Sequence, residues 1–94
     1  MSTYHLKLNA QYYEDSQRGI KNFEIRKNDR DYKVGDILEL QEYSESWVDG
    51  ERIGRYSGKF HSKIVTHVFA NEEYLESGYV ILGVAPIKTE EVEE

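Results

Sequence analysis

Lys21, Glu24 and Arg26 stand at close offsets inside the stretch GIKNFEIRKNDRDYKVGD, residues 19 to 36. An ammonium and a planar guanidinium suit phosphate, and the guanidinium also suits the edge of a base. A carboxylate two residues from the arginine shares its strand face and can accept from a base amino group. Lys21 beside Glu24 can also serve as a general acid–base pair. Six of the twelve Lys and Arg residues, Arg18, Lys21, Arg26, Lys27, Arg30 and Lys33, crowd between positions 18 and 33. Against Glu24, Asp29 and Asp31 they leave a local charge of +3 in a chain of net charge −6. Arg30 is the candidate phosphate contact in the loop, and Trp47, alone in a polar segment, is the candidate for stacking on a base.

Each of these has an inert reading that the sequence leaves open. Glu24 and Arg26 can form a structural salt bridge, and Lys21 can be a solvated charge at a strand entrance. Lys27, Arg30 and Lys33 alternate with Asp29 and Asp31, the pattern of a self-compensated turn. Tyr12, Tyr13, Tyr32 and Tyr56 suit a core or its rim as well as a base. The three histidines, His5, His61 and His67, match no metal-ligand spacing, and His61 and His67 on one strand would lie roughly 20 Å apart. No metal site, nucleophile elbow, Walker loop or dinucleotide fingerprint is present.

Ninety-four residues make one domain with one modest core. The 38 % apolar and 13 % aromatic content is enough to bury, so the chain is not of the disordered class. The absence of cysteine removes disulfides and thiolate sites and fits a reducing cytosol. The first residues lack the apolar core of a signal peptide, and no apolar run approaches the roughly 18 residues of a membrane span. The expectation is a soluble, cytoplasmic protein. Net negative charge argues against indiscriminate binding to phosphate backbones. The closing residues 89 to 94 hold four carboxylates and read as a disordered acidic tail after a domain at 1 to 88.

The elements that must position the candidates follow from periodicity. Residues 3 to 8 alternate with Tyr4, Leu6 and Leu8 on one face, predicting a strand. Asn9 as a cap and Gly19 as a terminator bracket a short helix over about Ala10 to Arg18, with Tyr13 and the alkyl part of Gln17 on one face. From Ile20 to Lys27 the period is two, Phe23 and Ile25 opposite Asn22, Glu24 and Arg26. The segment 27 to 31 reads as a turn and Gly35-Asp36 as a reversal. Ile37 to Tyr43 is a strand with Leu38 and Leu40 inward. Residues 44 to 58 form a long hairpin or loop around Asp49-Gly50. Phe60 to Phe69 is a long strand, with Phe60, Ile64 and Val68 on one face and His61, Val65, His67 and Phe69 on the other. Residues 71 to 77 suggest one helical turn. Tyr79 to Val84 is an apolar run expected to be covered on both sides. The sum is a mostly β (α+β) domain, a small mixed-pairing barrel of about five strands with one or two short helices.

The spacing G-x-K-x-x-E-x-R, met by Gly19, Lys21, Glu24 and Arg26 directly after a short helix, resembles the signature of the ASCH domain in the PUA-like superfamily. The wider text resembles the bacterial and phage family called domain of unknown function 3850. It comprises FEIRKNDRDYKVGD, Glu42-Tyr43, Tyr56-Ser57-Gly58 and GYVILGV from Gly78 to Val84, and runs from His5 to Val84. The resemblance implies a PUA-like barrel with a cleft against the helix that takes RNA, a nucleoside or a nucleotide, with no cofactor. The ligand residues it implies are Lys21, Glu24 and Arg26, and Arg30 and Trp47 join them as candidates from residue type alone. Some similar ASCH proteins are amidohydrolases on N4-acylated cytidines, using a lysine, a threonine three residues on and a glutamate from a separate helical segment. Here Lys21 matches, Glu24 stands at the threonine position, and Glu72, Glu73 or Glu76 would have to supply the glutamate. The expectation is a binding module, with Lys21 and Glu24 as catalytic residues in the alternative that it is a hydrolase.

Overall fold

The computed structural model describes residues 1–87, and the expected acidic tail lies outside the described residues. In chain order the elements are β1 (Thr3–Asn9), α1 (Ala10–Gln17), β2 (Phe23–Lys27), β3 (Ile37–Val48), β4 (Glu51–Phe69) and β5 (Tyr79–Pro86). They build a five-stranded mixed sheet in the order β1-β3-β4-β5-β2. The β1–β3 pair is parallel and the other three are antiparallel. A parallel pair needs a crossover, and α1, β2 and the loop before β3 supply it.

Helix α1 begins as its sequence dictates. Asn9 Oδ1 accepts from the Gln11 N–H at 2.9 Å, satisfying a donor that no helical carbonyl can reach. It ends at Arg18, after which Gly19 takes φ 83°. The N–H groups of Ile20 and Lys21 both donate to Asp15 O, at 2.9 and 3.0 Å, so the Lys21 backbone is tied to the last turn. The inner face of the helix is Tyr13 with Ser16 rather than Gln17, which is exposed. A contact with His61 draws Ser16 inward, as described below.

The apolar interior is made by Leu6, Leu8, Leu38, Leu40, Val65, Val80, Leu82 and Val84, closed by Tyr13 from α1 and Tyr32 from the loop. On β5 the burial alternates, with Val80, Leu82 and Val84 inside and Ile81 and Gly83 half-buried, so the apolar run is not covered equally on both sides. Register shifts between Gln41 and Tyr43 and between Val65 and His67 interrupt the ladders of β4. Such shifts bend a strand and deepen its twist. The second also breaks the face pattern expected from Phe60 to Phe69: His61, Lys63 and Val65 point in, and Thr66 and His67 point out.

The edge strands β1 and β2 meet across the open side through a side chain. Arg26 Nη2 donates to Lys7 O at 2.7 Å, closing the barrel-like curl where no ladder does. Residues 44 to 55 are a regular hairpin, β3 running directly into β4 through Asp49 (φ 52°) and Gly50 (φ 80°), and Ser57 and Gly58 lie in the register shift opposite Gln41 to Tyr43. Two successive positive φ values give the turn whose twist matches that of the strands. The segment 71 to 77 makes a single turn, the N–H groups of Tyr74 and Leu75 donating to Asn71 O, both at 3.1 Å.

Candidate functional site

Strand β2 turns its polar side inward. Phe23 and Ile25 are 44 % and 56 % exposed, whereas Glu24 is 3 % exposed. The cause is register: Glu24 lies opposite Leu82 and Arg26 opposite Val80, both fully buried on β5, so the charged pair inherits the interior face. Inward-pointing charge is one way an edge strand avoids pairing with another chain.

Within that interior the three sequence candidates converge. Glu24 Oε2 accepts from Lys21 Nζ at 2.7 Å, and Glu24 Oε1 accepts from Arg26 Nη2 at 2.9 Å and Nε at 3.2 Å. Lys21 also donates to Phe23 O at 2.8 Å. Donor accounting shows what is left over. Lys21 has three ammonium hydrogens and two acceptors. Arg26 has five, of which Nε and both on Nη2 are placed on Glu24 and Lys7 O. One hydrogen on Lys21 and the pair on Arg26 Nη1 have no acceptor among the described residues.

These groups border a cleft of about 400 Å³ between α1, β1 and β2, lined by Lys7, Leu8, Asn9, Tyr12, Lys21, Phe23, Glu24, Ile25 and Arg26. The rings of Phe23 and Tyr12 flank the Lys21 ammonium at 4.9 and 5.7 Å from their centroids. Beyond Arg26 and Lys7 lies a second depression of about 420 Å³, which includes Lys27, Arg30, Tyr32 and Tyr56.

Arg30 therefore shares a depression with Arg26. Trp47 does not join either group. It is 70 % exposed near the tip of the β3–β4 hairpin, four residues beyond Tyr43, or about 13 Å along the strand. Glu72, Glu73 and Glu76 are exposed in the turn before β5 and line neither cleft.

Two further interior residues belong to the same polar cluster. Lys63 is 0 % exposed and its Nζ has no hydrogen-bond partner among the described residues. Burial pushes its ammonium down from the ordinary lysine range, the Glu24 carboxylate opposes that, and Lys21 adds to it. His61, two residues away on the same face, shares a 2.8 Å hydrogen bond between Nε2 and Ser16 Oγ, while its Nδ1 has no partner among the described residues. Burial lowers its pKa, with Lys63 adding to the effect and Glu24 opposing it. The signal for Lys63 in the sequence is period alone: it falls between His61 and Val65 on their face. Nothing in its type suggests an interior site, because lysine is almost never fully buried without a partner.

The chain matches the family described as Domain of unknown function (DUF3850) over residues 3–84. It belongs to that family. The matched span contains every residue of both clefts and of the buried cluster. An uncharacterized 12.9 kDa protein in the GpA 3′ region of Escherichia phage P2 is 39 % identical over 79 residues, covering 84 % of this chain and 64 % of the relative. The chain thus spans less than two thirds of that relative's length.

Proposed function

We propose that the protein is a binding module for a nucleotide or for unpaired RNA, taken in the cleft between α1 and the barrel. One observation carries the reading: a buried carboxylate holds Lys21 and Arg26, each with donors to spare, in the lining of an aromatic-walled cleft. In this role Glu24 is the anchor rather than the ligand's acceptor, since both its oxygens already accept from cations. The ligand then supplies acceptors, as phosphate oxygens and base carbonyls do. Tyr12 and Phe23 offer faces for a base. Charge points the same way: Lys21 and Arg26 both pair with one carboxylate, a surplus of positive charge that an anion would balance. The likeness of Gly19, Lys21, Glu24 and Arg26 to the ASCH signature supports the same class of ligand.

Calorimetric titration with nucleoside 5′-monophosphates and short single-stranded RNA tests the proposal. Saturable binding that Tyr12→Ala and Lys21→Ala weaken is expected, and no saturable binding to any of them overturns it. The amidohydrolase reading has one favourable contact, the 2.7 Å pairing of Lys21 with Glu24, but no carboxylate from 71 to 77 lines the cleft. Chromatography after incubation with N4-acetylcytidine separates the two. Deacetylation lost in Lys21→Ala would favour the enzyme, and intact substrate is the outcome the binding module requires.

A further inference from the structure

Arg26 and Lys7 line both clefts, and the hydrogen bond between them forms the wall that the clefts share. The two sides differ in chemistry. On the α1 side stand aromatic rings and the anchored carboxylate. On the other side His5, Lys7, Arg26, Lys27 and Arg30 face a single carboxylate, Asp29.

Arg26 is held by Glu24, and His5 Nδ1 lies 3.0 Å from Glu39 Oε2, but little within the described residues satisfies Lys7, Lys27 and Arg30. Lys7 and Lys27 have no carboxylate within 4 Å among the described residues. Arg30 Nε stands 3.8 Å from Asp29 Oδ1, and its guanidinium packs 5.6 Å from the Tyr4 ring centroid. Lys7 Nζ sits 4.4 Å from the Tyr43 ring centroid, and that ring meets Tyr56 at 5.0 Å in a T-shaped contact. In a protein of net charge −6, four permanent cations gathered in one depression mark a place where polyanion affinity can be local although the surface as a whole repels it.

We infer that this second depression is a phosphodiester subsite, and that the ligand is a single-stranded oligonucleotide of two or more nucleotides crossing the Arg26–Lys7 wall. One base occupies the α1 cleft, and the adjoining phosphate and its neighbour run over Lys7, Lys27 and Arg30, with Tyr56 at the rim to stack on the next base. The inference rests on the binding reading above and narrows it: a free nucleoside fills half of the site. Clefts of this size admit unpaired nucleotides and exclude a duplex, whose bases are stacked and paired.

The test compares cytidine, uridine and adenosine with the trinucleotides CCC, UUU and AAA, as ribo and deoxyribo forms, by calorimetry across a salt series. For at least one base the trinucleotide should bind ten-fold or more tighter than its nucleoside, with log K falling about 0.7 per log salt for each phosphate contacted. In Lys27→Ala and Arg30→Ala that advantage should shrink and each salt slope fall by about one contact. Arg18→Ala, on the exposed side of α1 and lining neither cleft, should leave it intact. Equal affinity of nucleoside and trinucleotide would overturn the subsite while leaving the α1 cleft reading standing. An advantage that survives both substitutions would overturn it as well. Failure of every nucleoside and trinucleotide to bind would remove both.

Discussion

At Glu24 a single carboxylate balances two cations that reach the cleft, and the buried Lys63 also feels its charge. Removing one partner from a buried ion cluster leaves like charges facing each other without solvent. Glu24→Gln should therefore cost about 3 kcal/mol of unfolding free energy, read from urea denaturation. Lys63 has the opposite character, because its ammonium is enclosed and has no hydrogen-bond partner among the described residues. Lys63→Met should stabilise the fold by about 1 kcal/mol or more, since an apolar side chain replaces a desolvated charge. The pH dependence gives the sign independently. With its pKa lowered on folding, Lys63 binds its proton more readily in the unfolded chain, so stability should rise with pH between the folded value and the unfolded one near 10.5. Lys63→Met should lose that alkaline rise. His61, also lowered, makes the wild-type protein lose stability as pH falls below its unfolded value of about 6.5.

At the scale of elements, each turn and strand end is held by a side chain suited to it. Asp36 is buried and accepts from the N–H groups of Ser2 at 3.0 Å and Lys33 at 2.9 Å, tying the reversal before β3 to the start of β1. Burial alone would raise its pKa, but these donors outweigh it and hold the carboxyl below its ordinary range. Asp36→Ala should cost about 2 kcal/mol at neutral pH. The difference from wild type should fade as pH drops below about 3.8 through the folded value, because the stabilising carboxylate is lost there. In the hairpin, Gly54 is covered by the Tyr43 ring, and a Cβ there would collide with the Tyr43 hydroxyl. Gly54→Ala should displace Tyr43 from Tyr56 and Lys7, so near-ultraviolet circular dichroism should lose tyrosine signal while the far-ultraviolet sheet signal persists.

The same elements show what a linear text can carry. Asn9, Gly19 and Asp49-Gly50 act through neighbours in sequence, so the helix limits and the hairpin turn were legible. The direction of β2 was not. Its apolar face looks like a core face, and only its pairing with β5 makes Glu24 and Arg26 the interior side. Lys63 was hidden for the same reason, because its burial is set by strands far away in sequence, Leu38 on one side and Pro86 on the other. The convergence of Lys21, Glu24 and Arg26 was readable because a helix end and one strand fix all three. The separation of Trp47 depends on how far the hairpin runs past the last β1 pair, and composition does not encode that length.

For the whole molecule, the fold is a curled mixed sheet whose open seam is bridged by Arg26, so the candidate site and the closure of the barrel share one side chain. No helix among the described residues is long and apolar enough to cross a membrane. The net charge of −6 disfavours polyanions away from the basic depression. Binding of a trinucleotide should then depend on salt only as steeply as its two phosphates require, a log–log slope of about −1.4. The most direct test of the account is a map of backbone amide chemical shifts during titration with a single-stranded trinucleotide. The account predicts saturable changes centred on Tyr12, Lys21, Glu24 and Arg26 and continuing through Lys27 and Arg30. A spectrum that does not move at those residues, or that moves only at the hairpin tip around Trp47, would contradict it.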